Sequence, residues 1–178
     1  MTERDLLTLP DDAWRYELVE GVLVRMPPSG RRASRIARRL AARLGDFVDA
    51  QSLGEVTVPD GGYTLAPGTD LAPDVGFMRA DRLPPLDSPA SDRLILGAPD
   101  LAVEVASPNQ YKPEMRAKAR LYLEAGTRLV WIIWPRHRRV DVWHPGDTLP
   151  SAMRKVGDSL DGEDVVPGFV YAVGDLFA

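Results

Sequence analysis

The clearest pattern of apolar and polar positions runs from about residue 31 to residue 47 and predicts an amphipathic helix. Apolar side chains recur there three or four residues apart, so they share the face that can pack on a core. The apolar positions are Ala33, Ile36, Ala37, Leu40, Leu44 and Phe47, and the neighbouring face carries Arg31, Arg32, Arg35, Arg38, Arg39 and Arg43. The sequence therefore predicts a helix with one buried face and one strongly basic face.

Shorter periodicities predict the strands. Residues 16–26 form a hairpin that turns at Glu20-Gly21, where glycine permits the backbone angles of a tight turn. Residues 101–106 and Leu129–Trp134 are apolar on both faces, apart from one acid, as in strands covered on both sides. Further strands are predicted near residues 55–58, 63–65, 73–78 and 139–143.

The remaining segments complete the predicted order of elements. Residues 80–98 contain several prolines and scattered acids and are predicted to be a connecting loop. A second helix begins at Pro113 and stops at Gly126, and a helical turn is expected near residues 175–177. This order predicts an α/β (α+β) fold, with a mixed β-sheet flanked by helices and one domain over residues 1–178.

Composition narrows the chemistry available to the chain. The 178 residues are 44% apolar and 27% charged, as in an ordinary globular protein, and they include no cysteine and 2 histidines. Thiolate zinc sites, iron–sulfur clusters and cysteine nucleophiles are therefore excluded, and a histidine-rich metal site has almost nothing to be built from. The charged residues 1–5 do not fit a signal peptide, and no apolar run approaches the length of a membrane helix. We expect a cytoplasmic protein with no membrane partner.

Charge is distributed unevenly along the chain. The formal net charge is −4, yet residues 21–45 contain seven arginines and no acid. Such a face is either a solvated helix surface or a contact for a polyanion such as the backbone of a nucleic acid. Both interpretations remain open from the charges alone.

Two ionisable residues stand out against apolar surroundings. Glu104 lies in the middle of a predicted buried strand, where an ionised carboxylate needs a cation, a donor or a proton. Lys118 projects into the apolar face of the second helix, toward the sheet on which that helix should pack. Because this helix follows the strand directly, we expect Lys118 and Glu104 to be neighbours. A satisfied structural acid is the competing interpretation of Glu104.

Asp74 and Asp100 compete to be a second acid beside Glu104. Asp100 lies four residues away on the same strand, a separation of roughly 13 Å. An adjacent strand can bring Asp74 within about 5 Å. Two carboxylates with a backbone carbonyl and water would form an oxygen-only site that suits Mg²⁺ or Mn²⁺.

Several blocks of the chain together resemble the Uma2 family, a branch of the PD-(D/E)xK restriction-endonuclease-like superfamily. They are YELVEG at 16–21, PDV at 73–75, PDLAVEVASP at 99–108, KARLY at 118–122, Trp131, GDSL at 157–160 and PGF at 167–169. The acid block followed by the lysine-bearing helix is the most specific part. The resemblance implies a restriction-endonuclease-like core with an N-terminal β-hairpin.

The resemblance also implies roles for individual residues. Asp74 matches the first motif acid and Glu104 the second, and the motif lysine would fall at position 106, where this chain has Ala106. Lys118 resembles a relocated replacement for it. Asp74, Glu104 and the backbone carbonyl of Val105 would hold Mg²⁺ or Mn²⁺, with Glu17 as a further ligand or a structural acid.

The implied activity is metal-dependent hydrolysis of nucleic-acid phosphodiester bonds. DNA is the expected substrate, and the family likeness suggests a homodimer. Arg31, Arg32, Arg35 and Arg39 on the first helix would contact the phosphate backbone. The alternative is a catalytically inactive nucleic-acid-binding or protein-assembly module on the same fold, which Ala106 favours.

Overall fold

A computed structural model of the chain describes residues 14–59, 61–108 and 110–178, so the charged start at residues 1–5 lies outside the described residues. In chain order the elements are β1 (Arg15–Val19), β2 (Val22–Met26), α1 (Arg31–Gln51), β3 (Gly54–Thr57), β4 (Tyr63–Ala66), β5 (Thr69–Leu71), β6 (Val75–Arg79), β7 (Ile95–Leu96), β8 (Leu101–Val105), α2 (Lys112–Glu124), β9 (Leu129–Trp134), β10 (Arg139–Trp143), β11 (Ala152–Lys155), β12 (Ser159–Asp161), β13 (Val170–Ala172) and α3 (Val173–Phe177). The predicted mixed α/β architecture with an N-terminal hairpin is confirmed.

A six-stranded sheet forms the centre of the fold, in the order β11-β10-β9-β8-β6-β3. Only β8 and β9 run parallel to each other in it, and α2 is the helical connection between them. Both strands are buried along their whole length, as predicted from their apolar runs, which only Glu104 interrupts. The central pair is therefore covered on both faces.

Each face of this sheet packs against a different long helix. On one face, Val103 and Trp131 contact the apolar side of α1 in a core that includes Leu40. On the other face, Ala102 and Ile132 lie under α2. Because successive side chains of a strand alternate between faces, Glu104 shares the α2 face with Ala102. The core thus directs this acid toward the second helix.

Helix α1 begins where predicted and runs four residues beyond residue 47. Val48 continues its buried face, and the helix ends at Ser52, which adopts left-handed backbone angles with φ of 52°. Helix α2 and strands β9 and β10 match their predicted segments to within two residues.

A second sheet of five strands, in the order β2-β1-β5-β4-β7, carries the N-terminal hairpin. Two of its strands were not predicted. Strand β5 contains the polar residues Thr69 and Asp70, and β7 interrupts the predicted loop at residues 80–98 by pairing for two residues with β4. Two 3₁₀ turns, Ala80–Arg82 and Pro89–Asp92, account for much of the rest of that loop.

The chain crosses from the five-stranded to the six-stranded sheet at residues 72–74, between β5 and β6. This crossing places Asp74 where the two sheets meet, in contact with Arg15 of β1 and with Val105 of β8. Within the part of the chain that the structure describes, no helix is long and apolar enough to span a membrane.

Candidate active site

Glu104 is the centre of a buried polar cluster beneath α2. Its side chain is 5% exposed, and Oε1 accepts a hydrogen bond from the Tyr122 hydroxyl at 2.9 Å. The same oxygen lies 2.8 Å from the Lys118 ammonium. Since Lys118 and Tyr122 are four residues apart on α2, they share one face of the helix and reach the strand together. This geometry leaves Oε2 of Glu104 as the oxygen available to a ligand.

Lys118 bridges two carboxylates from different sheets. Its Nζ lies 2.9 Å from Oε1 of Glu17 on β1 and 2.8 Å from Oε1 of Glu104 on β8. Glu17 Oε1 also accepts the backbone N–H of Ala72 at 3.2 Å. The ammonium group therefore joins the five-stranded sheet, the six-stranded sheet and α2 at one point.

The charges in this cluster are strongly shifted by burial and by one another. Burial opposes the charge of Lys118, but the carboxylates of Glu104 and Glu17 outweigh it and raise its pKa above the usual range. Burial raises the pKa of Glu104 to about 7 against the opposing effect of Lys118, and the negative charge of Asp74 adds to the rise. Lys118 is therefore a cation at neutral pH, while Glu104 titrates near neutrality.

Asp74 is held beside Glu104 by the strand register. Val75 of β6 pairs with Val103 of β8, which sets the preceding Asp74 opposite Glu104. Asp74 Oδ2 accepts the backbone N–H of Val105 at 2.8 Å, and Oδ1 lies 3.3 Å from the Arg15 guanidinium. The two carboxylates thus reach the same place from neighbouring strands.

Two side chains of the cluster were missed by the sequence analysis. Tyr122 entered the sequence analysis only within the KARLY block, although its position four residues after Lys118 is a signal. Arg15 lies two residues before Glu17 on β1, and side chains at that spacing share a strand face. Neither spacing indicates a role for the side chain unless the residue that it contacts is known.

Comparison with known proteins places the chain in a family. The sequence profile of Uma2, described as "Putative restriction endonuclease", matches residues 4–174. The chain belongs to the Uma2 family. A crystal structure described as that of "a putative nuclease belonging to DUF820 from Anabaena variabilis ATCC 29413" is similar to it, with a TM-score of 0.81 and 20% identity over 99% of this chain and 97% of that chain. At that identity the likeness establishes the fold alone. A search of curated proteins found no match.

Other sequence candidates occupy separate places in this Uma2 fold. Ala106, at the position of the motif lysine, is buried among the apolar residues under α2. Asp100 lies at the opposite end of β8, where it accepts the backbone N–H of Arg79 and lies 2.9 Å from the Arg82 guanidinium. Asp100 is therefore part of a different polar cluster, as its distance along the strand predicted.

The predicted arginine face of the Uma2 chain divides into two groups. Arg31, Arg32 and Arg35 are exposed near the beginning of α1. Arg39 is half-buried and donates a hydrogen bond at 2.9 Å to the backbone carbonyl of Asp175. Arg39 therefore already has a structural contact with the C-terminal helix α3.

A cavity of about 540 Å³ opens onto the polar cluster and is lined by Glu17, Asp74, Glu104 and Lys118 among others. Among residues 14–59, 61–108 and 110–178, no group of three or more His, Asp or Glu side chains is arranged to hold a metal ion. Two carboxylates on adjacent strands nevertheless supply the hard oxygen donors that divalent cations such as Mg²⁺ prefer. Their mutual repulsion would also be relieved by a cation, so the donor set fits one.

Proposed function

We propose that this Uma2 protein is a metal-dependent endonuclease that hydrolyses phosphodiester bonds in DNA. The observation that carries the proposal is the position of the Lys118 ammonium. It lies 2.8 Å from Oε1 of Glu104, and the pairing of β6 with β8 sets Asp74 opposite that same acid. Two acids and one amine at a cavity form the arrangement that hydrolysis of a phosphodiester by metal-assisted attack of water needs. Membership of the family supports a nuclease-like role.

The metal would be held by oxygen atoms of two strands. Asp74 and Glu104 supply carboxylates, and Val105 supplies its backbone carbonyl. The N–H and the carbonyl of one strand residue point to the same side, and the N–H of Val105 contacts Asp74, so the carbonyl of Val105 also faces Asp74. When bound, Mg²⁺ or Mn²⁺ supplies Lewis-acid stabilisation of phosphate charge and lowers the pKa of water. Glu17 as a further ligand stays a prediction, since its Oε1 already contacts Lys118 and Ala72.

Lys118 has the position and charge of a catalytic amine. Its raised pKa keeps it protonated, so it can orient the attacking water and share the negative charge that develops on the phosphate oxygens. Glu17, Tyr122 and Arg15 are positioning residues in this mechanism. Glu17 holds the ammonium, Tyr122 holds Oε1 of Glu104, and Arg15 holds Asp74.

Cleavage of plasmid and linear DNA with Mg²⁺ or Mn²⁺ tests the proposal. We expect Glu104→Gln to abolish cleavage and Lys118→Ala to lower kcat by about 100-fold or more. The matched controls are Glu124→Gln and Lys155→Ala, which replace exposed residues of the same types outside the cavity and should cleave normally. Cleavage that survives both Glu104→Gln and Lys118→Ala contradicts the proposal.

Binding of the metal can be measured separately from cleavage. We expect Mn²⁺ to raise the Tm of the wild-type chain at pH 8, because a ligand that binds only the folded state stabilises it. The rise should be lost in Asp74→Asn and Glu104→Gln and kept in Glu124→Gln. An equal rise in all four chains would place the metal elsewhere.

A second candidate function is a nucleic-acid-binding or protein-assembly module without catalysis. The buried Ala106 at the position of the motif lysine favours it. DNA binding that weakens with salt, with no cleavage under any divalent metal, would support this function. Cleavage that depends on Glu104 would exclude it.

A further inference from the structure

Two smaller cavities lie beside the cavity of about 540 Å³ at Asp74 and Glu104, which we call the catalytic cavity. A cavity of about 480 Å³ shares Ala33, Ser107 and Gln110 with the catalytic cavity. A third cavity of about 320 Å³ shares Arg32, Pro135 and Arg136 with the second. Because neighbouring cavities share lining residues, the three lie in a row that leads away from Asp74 and Glu104, and we call this row the channel.

Two elements supply the basic side chains that line this channel. The first is the beginning of α1, and the second is the turn between β9 and β10, at residues 135–138. We call the basic residues of these two walls the basic arm; they are Arg31, Arg32, Arg35, Arg136, His137 and Arg138. All six side chains are exposed, and no described residue that lines these two cavities carries an acidic side chain. The arm thus gathers basic side chains with no acidic side chain among the lining residues, on a chain whose formal net charge is −4.

Most of these side chains have no partner among the described residues. The guanidinium groups of Arg31, Arg32, Arg35 and Arg136 make no ion pair and no hydrogen bond to any other residue that the structure describes. Arg39, by contrast, is held by the carbonyl of Asp175 and does not line the channel. Unpaired guanidinium groups on facing walls are poised for bidentate contact with phosphate.

The beginning of α1 carries charges of the wrong sign for a helix on its own. A helix N-terminus bears partial positive charge, so acids are favoured there and arginines are disfavoured. Here the first turn contains no acid, Gly30 provides no side-chain cap, and Arg31 and Arg32 occupy the first two positions. An anion in the channel would remove this unfavourable arrangement, because it would satisfy both the free N–H groups and the arginines.

The opposite wall contains a second locally unfavourable feature. Arg138 has a φ of 47°, a left-handed conformation that glycine or asparagine adopts more easily than arginine. Its guanidinium lies 5.8 Å from the centre of the Phe177 ring, which holds the side chain in the third cavity. A side chain kept at an unfavourable backbone position points to a function for that side chain.

We propose that the basic arm binds the sugar–phosphate backbone of the DNA on one side of the bond that is cleaved. The inference rests on the proposed nuclease function for the location of that bond. Phosphates beyond the catalytic cavity pass first between Arg31, Arg32 and Arg136 and then between Arg35 and Arg138. Ser107 and Gln110 lie at the junction with the catalytic cavity and offer neutral donors to the strand.

Salt-dependent binding of fluorescein-labelled DNA tests the arm. The measurements use the Glu104→Gln chain, which should not cleave, with Mg²⁺ present and salt varied between about 50 and 200 mM. The test variant adds Arg136→Ala and Arg138→Gly. The matched control adds Arg120→Ala and Arg154→Ala, which remove the same charge from exposed residues outside the channel.

We expect the test variant to bind at least about fivefold more weakly than its parent, with the slope of log K against log salt smaller by about 1 to 2. The control should keep the slope of its parent. The proposal of the arm is overturned if DNA binding weakens equally in both variants, if it changes in neither, or if the parent does not bind DNA.

The melting temperature separates a binding role from a structural one. Arg138→Gly removes the guanidinium and also relieves the left-handed backbone, so its Tm should stay the same or rise while binding weakens. A Tm that falls together with affinity would assign Arg138 to the fold and remove it from the arm.

Cleavage assays distinguish failure of the arm from failure of the nuclease function. If Lys118→Ala loses cleavage and the arm variant binds DNA as tightly as its parent, the nuclease function is supported and the arm is rejected. No cleavage by the wild-type chain, together with weaker binding in the arm variant, retains the arm as a binding surface and rejects the nuclease.

Discussion

Glu104 is an acid whose neighbours along the strand are all apolar, and its surroundings only partly compensate for its burial. Lys118 and Tyr122 both act on Oε1, and Asp74 adds a repulsive charge. Its raised pKa follows from that balance, because burial penalises the ionised form more than the two donors stabilise it. A residue in this state responds to pH and to cations in the neutral range.

Stability should therefore depend on pH through Glu104. In the unfolded chain this carboxyl loses its proton near its ordinary pKa of 4.5, whereas in the folded chain it keeps the proton until about pH 7. Between these values the folded state binds more protons, so the free energy of unfolding falls as pH rises. We expect the Tm of the wild-type chain to fall between pH 5 and 8 relative to that of Glu104→Gln, measured without metal. Glu124→Gln, which alters an exposed acid, should follow the wild-type chain instead.

Tyr122→Phe isolates the hydrogen bond to Glu104, because it keeps the ring and removes the hydroxyl. Loss of a donor to the ionised carboxylate raises the pKa of Glu104 further. The acid limb of the cleavage rate should move to higher pH by about one pH unit. Tyr63→Phe, which removes a buried hydroxyl bonded to Thr57, should leave the pH profile unchanged. A loss of rate that is equal at every pH would argue against this role.

At the level of residues, periodicity identified Glu104 and Lys118 because each breaks an apolar pattern. Helical spacing alone placed Lys118 on the face toward the sheet, where the structure has it. Arg15 and Tyr122 could not be assigned in the same way, because their roles depend on partners that are distant in sequence. Arg15 meets Asp74 across 59 positions, and no local pattern encodes that contact.

At the level of elements, long periodic segments were predictable and short ones were not. Helix α1 and strands β8 and β9 bury complete faces, so their patterns are strong. Strands β5 and β7 have three and two residues, which is too short for a periodic pattern to show. They are strands because they pair with β4. Their existence is a consequence of tertiary structure.

Two glycines in neighbouring elements should respond oppositely to alanine. A Cβ at Gly54 in β3 would lie 2.0 Å from the carbonyl oxygen of Met78 in β6, so Gly54→Ala must displace backbone. We expect it to lower the free energy of unfolding by about 2 kcal/mol or more. Gly45 lies within α1 with open space around it, so Gly45→Ala should add about 0.5–1 kcal/mol. Urea unfolding measures both, and a tolerated Gly54→Ala would contradict the close approach of β3 and β6.

At the level of the whole molecule, one ammonium group fastens together two sheets and a helix. Lys118 comes from α2, Glu17 from the five-stranded sheet and Glu104 from the six-stranded sheet. Its side chain is only 13% exposed, so solvent cannot replace these contacts. The site should therefore contribute to stability as well as to chemistry.

Removal of the cation alone should be costly. Lys118→Met leaves two buried carboxylates without their partner, and we expect it to lower the free energy of unfolding by about 3–5 kcal/mol at pH 8. Adding Glu104→Gln should restore part of this loss, because it removes one of the two buried charges that lack a partner. Urea unfolding of the four chains in this cycle measures the coupling. If the two effects simply add, the ammonium does not stabilise Glu104.

The position of Lys118 on α2 has a consequence for recognising related proteins. A linear pattern that demands lysine two positions after the acid meets Ala106 here and would dismiss the chain. In this chain an amine from another backbone position, Lys118 of α2, lies 2.8 Å from the acid. Relatives with the lysine relocated are better sought by asking which amine the following helix extends over the acid-bearing strand.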